Sequence, residues 1–125
     1  MIRYLIDADS AIYAMSGRHE AMLRRFAECE PGDVGISVIS FAEIALGSHN
    51  GKPPPPMVLE AFVANIPLVA FDEKAAREYA RIPFKRARFD RLLAAHALSL
   101  GAVVVTNNEL DFADVPGLVV ENWTV

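Results

Sequence analysis

The chain has a single cysteine, Cys29, among its 125 residues. One thiol cannot close an internal disulfide, and nothing pairs with it to build a zinc site. A reducing, cytoplasmic setting is therefore expected, with Cys29 a small apolar filler rather than a nucleophile. Long hydrophobic runs are missing too. No stretch approaches the roughly 18 apolar residues of a membrane span. The opening MIRYLIDADS meets an acid at Asp7, too early for the apolar core of a secretory leader. A soluble protein with no membrane partner is the expectation. Positive charge is scarce: 12 Lys and Arg stand against 16 Asp and Glu, for a net charge of −4. That argues against tight, charge-driven binding along a duplex. It leaves room for a nucleic-acid substrate whose phosphates are met by bound cations. No glycine-rich turn follows the first apolar stretch, which removes the main signature of a dinucleotide binder. The three histidines, His19, His49 and His96, are scattered, and His96 reads as a helix-face residue rather than a ligand.

Hydrophobic residues make up 53% of the chain, too many for a disordered segment, and the length suits one domain over residues 1–125. Short continuous apolar runs at 3–6, 34–38, 68–71, 102–105 and 118–120 read as strands. Between them the periodicity predicts helix around Ile12 and Met15, again through Met22, Leu23 and Phe26, then over 57–65, from Asp72 to Tyr79, and over 91–100 with Gly101 as its stop. Ser40 and Glu43 match a capping box opening a helix that ends at Gly47. The prolines at 53–56 form a stiff connection, and Asn108 to Phe112 a short helical turn. Strands without polar alternation, alternating with helices, predict an α/β fold: a three-layer α/β/α sandwich around a short, mostly parallel sheet. Ligands of such sheets bind beyond the carboxyl ends of the strands. Asp7 directly follows the first strand and the Thr106-Asn107-Asn108 segment directly follows the fourth, so both should open on the same edge.

Four acids share a local setting. Asp7 ends a buried strand, Glu43 falls in the first turn of its helix, Asp90 starts the next strong helix, and Asp111 lies just inside the turn opened by Asn108. Helix N-termini favour anionic side chains, which suits a site for a hard cation. Each has a plainer explanation. Asp90 is a natural N-cap, Glu43 completes the capping box, and Asp111 is an ordinary helix-start charge. Asp7 has the weakest structural excuse. The argument rests on all four reaching one edge of the sheet.

The segments YLIDAD, SVISFAEIALG, FDRLLAAHALSLGAVVVTNNELDF and VPGLVVENW, in that order and spacing, cover nearly the whole chain. Together they resemble the PIN-domain ribonucleases, specifically the VapC-type toxins of bacterial toxin–antitoxin pairs. The resemblance implies Asp7, Glu43, Asp90 and Asp111 as catalytic, metal-binding acids for Mg²⁺ or Mn²⁺, with Thr106 and Asn108 as polar supports. It implies single-stranded or loop RNA as substrate, an antitoxin that blocks the site, and a homodimer within a larger assembly. Part of the amphipathic stretch 11–26 is expected to form the antitoxin groove, the rest of its apolar face being core. Two departures stand out. The family usually has Asp-Thr-Asn after the first strand, where this chain has Asp7-Ala8-Asp9, losing a hydroxyl able to support a ligand. Asp9 either adds charge to the site or caps the next helix, the cap being favoured. The segment 81–90 is shorter than is usual in the family.

The expected chemistry is in-line hydrolysis of a phosphodiester assisted by carboxylate-held cations. Lys85, Arg86 and Arg88 either grip RNA phosphates beside the cations or form an ordinary solvated loop. The competing readings are a catalytically inactive module of the same fold that binds RNA or a protein, and a metal hydrolase acting on small phosphate esters.

Overall fold

A computed structural model describes residues 1–83 and 88–125, with Arg88 as backbone only. Lys85 and Arg86, read above either as RNA contacts or as a solvated loop, and the side chain of Arg88 lie outside the described residues.

Five strands form one sheet: β1 (Tyr4–Ile6), β2 (Val34–Ser37), β3 (Leu68–Val69), β4 (Val103–Val105) and β5 (Val120–Glu121), in the order β3-β2-β1-β4-β5. Every pairing is parallel. The registers Ile6 with Ile36 and Ile6 with Val105 align the carboxyl ends of the three central strands. The continuous apolar strands are explained by burial on both faces. Leu5 and Val104 enter one core with Leu93, Ala94 and Ala97, while Ile6, Ile36 and Val105 enter the other with Met22, Ile44 and Trp123. The expected three layers are thus present, two cores separated by the sheet.

The helices are α1 (Ala8–Ser16), α2 (Glu20–Ala27), α3 (Val38–His49), α4 (Pro56–Asn65), α5 (Glu73–Arg81) and α6 (Arg88–Leu100), followed by a 3-10 turn over Glu109–Phe112. Local chemistry fixes their ends. Asp72 caps α5 by accepting from Ala75 N–H at 3.0 Å, Pro56 opens α4 where its missing N–H costs nothing, and Gly101 follows α6 at φ 66°.

Two predicted helix starts are corrected. Ser37, at the end of β2, caps α3: its extended backbone lets Oγ accept from Ile39 N–H at 3.0 Å. Ser40 is already inside the helix and buried, so no capping box forms, and α3 runs past Gly47 to His49. Glu43 accordingly sits in the second turn, not the first. Helix α6 begins at Arg88, which places Asp90 within its first turn rather than at the cap. In α3 the helix starts earlier because the chain turns into helix as soon as β2 ends.

The chain runs outward from β1 to β2 and β3, then returns to the other side of β1 as β4. This reversal leaves a crevice beyond the carboxyl ends of β1 and β4, the usual ligand position in open parallel sheets.

Candidate active site

Asp7 is the first residue beyond β1. Its N–H donates to the Val105 carbonyl at 2.9 Å, and its carboxylate caps α1 by accepting from Ser10 N–H at 2.8 Å. The hydroxyl of Thr106, the first residue beyond β4 and fully buried, donates to the same carboxylate. Thr106 Oγ1 also accepts from Asn108 N–H at 3.0 Å, tying the turn that carries Asp111 to the sheet. Asp7 is therefore held from two elements although Ala8 offers no hydroxyl. The favoured reading of Asp9 as a cap is overturned, since Asp7 does the capping. Asp9 lies exposed in the first turn of α1.

These elements meet in an open cleft of about 190 Å³. Its walls are Asp7, Asp9, Glu43, Asp90 and Asp111, with Asn108 and Ala8, and Leu93 and Phe112 close its apolar floor. The four acids named from the sequence are brought together, and Asn108 stands with them. Thr106 supports the cleft from behind rather than lining it. Asp9 is the acid that sequence reasoning undervalued. The available signal was its place in the first turn of a helix that Asp7 already caps.

The electrostatics follow from crowding. Burial first, then the charge of Asp9, raises the Asp7 carboxyl above its usual range, against the hydrogen bonds of Thr106 and Ser10 that lower it. Burial and the charges of Asp111, Asp7 and Asp9 likewise raise Asp90. Glu43 is the extreme: desolvation, then the charges of Asp90, Asp9 and Asp7, push it to about 7, although its side chain reaches solvent. Bringing these carboxylates together is unfavourable without a cation between them. An all-oxygen donor set suits a hard dication such as Mg²⁺ or Mn²⁺. Among the described residues no group of three or more Asp, Glu, His or Cys side chains is placed to hold a metal ion as the side chains stand.

Two polar links brace the cleft. The Arg91 guanidinium donates from one Nη to both oxygens of Asp114, at 3.0 and 2.8 Å, joining α6 to the segment after the 3-10 turn. His96, predicted to lie on a helix face, is buried and meets Ser37 Oγ at 2.8 Å.

Beside the acid cleft is a second hollow of about 300 Å³, mostly apolar, lined by Ile12, Ile44, Leu46 and Pro53 and sharing Glu43 as a wall. Of the stretch 11–26 expected to form a groove, Ile12 alone lines it. Met22 and Phe26 belong instead to the core, Phe26 lying edge-on to Trp123 with ring centroids 5.4 Å apart.

An all-parallel α/β sandwich with a carboxylate cluster at the point where its strand order reverses is the class defined by fold and site. The PIN domain family model matches residues 4–118, and the chain belongs to the PIN domain family. It is 29% identical over 133 residues to the tRNA(fMet)-specific endonuclease VapC of Shigella flexneri, covering 99% of this chain and 100% of that protein. Among solved structures it is similar to DNA-bound VapBC from Salmonella typhimurium, with TM-score 0.84, 27% identity, and 98% and 99% of the two chains covered. It is also similar to VapBC2 of Rickettsia felis bound to a promoter DNA fragment, with TM-score 0.83, 26% identity, and the same two coverages.

Proposed function

We propose that this protein is an endoribonuclease that acts as the toxin of a toxin–antitoxin pair, hydrolysing phosphodiester bonds in single-stranded or loop RNA with Mg²⁺ or Mn²⁺. The observation that carries this reading is the single cleft gathering Asp7, Glu43, Asp90 and Asp111 at the strand-order reversal. Full-length similarity to proteins named as VapC endonucleases and ribonucleases supports it.

Asp7 is the central holder, because two hydrogen bonds from different elements fix its carboxylate. Glu43, Asp90 and Asp111 would complete the grip directly or through water. A bound dication supplies a water of lowered pKa and offsets charge developing on the phosphate. Glu43, raised to about 7, would have to give up its proton to hold a cation, so binding should tighten as the pH rises through neutrality. The apolar floor of Leu93 and Phe112 limits water behind the reacting group. Ala8 does not by itself favour an inactive module, since Ser10 and Thr106 already hold Asp7.

The apolar hollow that shares Glu43 suits an antitoxin segment whose end would reach the acids and block them, and a homodimer within a larger assembly goes with that reading. Solved relatives are VapBC complexes. The test is cleavage of labelled single-stranded, hairpin and initiator-tRNA substrates by antitoxin-free protein, with Mg²⁺, Mn²⁺ or EDTA. Cutting that needs metal is the expected result. Cutting undiminished in EDTA, or none of any RNA by protein that binds Mn²⁺, would overturn it.

A further inference from the structure

We propose that His96 is a positioning residue: through its buried hydrogen bond to Ser37 it locks α6 against α3 and so sets the spacing of Asp90 and Glu43 across the acid cleft. The inference rests on the metal-dependent reading above. Ser37 is the hub. It is the last residue of β2 and the cap of the helix that carries Glu43. Its Oγ accepts from Ile39 N–H at 3.0 Å, which leaves the hydroxyl proton free for His96 Nδ1 at 2.8 Å. His96 lies in the helix that carries Asp90, with its ring edge-on to Phe71 at 5.4 Å between centroids.

Both residues are almost wholly shielded, Ser37 at 0% and His96 at 1% exposure. Leu93, Ala94, Ala95 and Ala97 beside it in α6 are buried and apolar, so packing alone would be served by an apolar side chain. A neutral buried hydrogen bond adds only about 1 kcal/mol of net stability. What it adds beyond packing is direction: one orientation of α6 brings the imidazole Nδ1 and the Ser37 hydroxyl together. Glu43 of α3 and Asp90 of α6 line the same cleft, where like charges repel. Without a fixed link the helices would relieve that repulsion by moving apart, leaving the carboxylates too widely spaced for one cation.

The experiment is Mn²⁺ titration by calorimetry of the full chain, with folding checked by circular dichroism. The variants are His96→Leu, His96→Asn, Ser37→Ala and the double variant. Ser99→Ala is the control, because Ser99 is buried in the same helix but bonds only its own helix backbone, at the His96 carbonyl. His96→Leu and Ser37→Ala are each expected to weaken Mn²⁺ roughly tenfold to a hundredfold, the usual effect of losing a residue that supports a metal ligand. The double variant should lose no more than Ser37→Ala alone, and His96→Asn, which keeps an acceptor facing Ser37, should recover most of the affinity. Wild-type affinity in both His96→Leu and Ser37→Ala overturns the proposal, as does equal loss in His96→Asn and His96→Leu. If His96→Leu does not fold, His96→Phe takes its place, since it removes the bond to Ser37 while leaving the Ser37 cap of α3 in place, and wild-type Mn²⁺ affinity in it overturns the proposal. A wild-type protein that takes up no Mn²⁺ overturns the metal reading itself, and this inference with it.

Discussion

Asp7 does three jobs at one position. It ends the central strand, caps α1 through Ser10 N–H, and faces the cleft with Thr106 behind it. Asp7→Asn keeps the cap geometry but removes the charge, so RNA cleavage should fall to background while the far-ultraviolet spectrum is unchanged. Retained cleavage would rule Asp7 out as the central ligand. Glu43 carries a pH prediction. Its folded carboxyl is raised from 4.5 to about 7. Between those values the native protein binds more protons than the unfolded chain, so stability is highest at the acid end and is lost as the pH rises through 7. Metal-free protein should therefore melt at a higher temperature at pH 5.5 than at pH 8. Glu43→Gln should flatten that trend, and the same slope in both proteins would contradict the assignment.

Among the elements, β2 shows how sequence and packing divide the work. Gly35 sits in its middle, where an added Cβ would meet Ile2 Cδ1 at 2.8 Å, Val69 Cγ2 at 3.0 Å and the Pro67 carbonyl oxygen at 3.3 Å. The side chains can shift, but the backbone oxygen can move only with the chain leading into β3. Gly35→Ala should thus destabilise by about 1–3 kcal/mol, as overpacking does, read as a drop in the urea midpoint. An unchanged midpoint would mean β3 is looser than it looks. Helix α3 gives the complementary lesson. The pattern Ser40 to Glu43 looks like a cap, yet the preceding Ser37 wins because it is where the extended strand ends and so has the backbone a cap requires. Glu43 then loses its structural explanation, which strengthens its place in the cleft. The helical periods, the Asp72 and Gly101 boundaries and the apolar strands were legible because each depends on a few neighbouring residues. The start of α3 and the role of Asp9 were not, because rival cap residues, Ser37 with Ser40 and Asp7 with Asp9, stood close together and only the observed backbone separates them.

For the whole molecule, the balance between assembled negative charge and cation binding is the feature with the clearest consequence. Five carboxylates line one cleft. A dication that binds only the folded state should stabilise it by mass action, by about 2.7 kcal/mol at a hundredfold excess over Kd, or a melting rise of roughly 10 °C. Mn²⁺ should give this rise in differential scanning calorimetry and EDTA should reverse it. Millimolar Mn²⁺ with no effect would speak against the site. No helix among the described residues is long and apolar enough to cross a membrane, in keeping with the short apolar runs of the sequence.

The sequence by itself determined the layer architecture, because continuous apolar strands alternating with amphipathic helices have few other ways to bury both faces of a sheet. It also singled out Asp7, Glu43, Asp90 and Asp111, since each follows a strand or lies near a helix start. Only the tertiary structure decided which neighbours complete them. The order β3-β2-β1-β4-β5 sets Asp7 beside Thr106, and helix packing brings Glu43 opposite Asp90 and adds Asp9 to the wall. The buried contact of Ser37 with His96 and the half-buried one of Arg91 with Asp114 join residues far apart in the chain. No local pattern encodes such pairs, because their energies depend on distance and burial that exist only after the chain has folded.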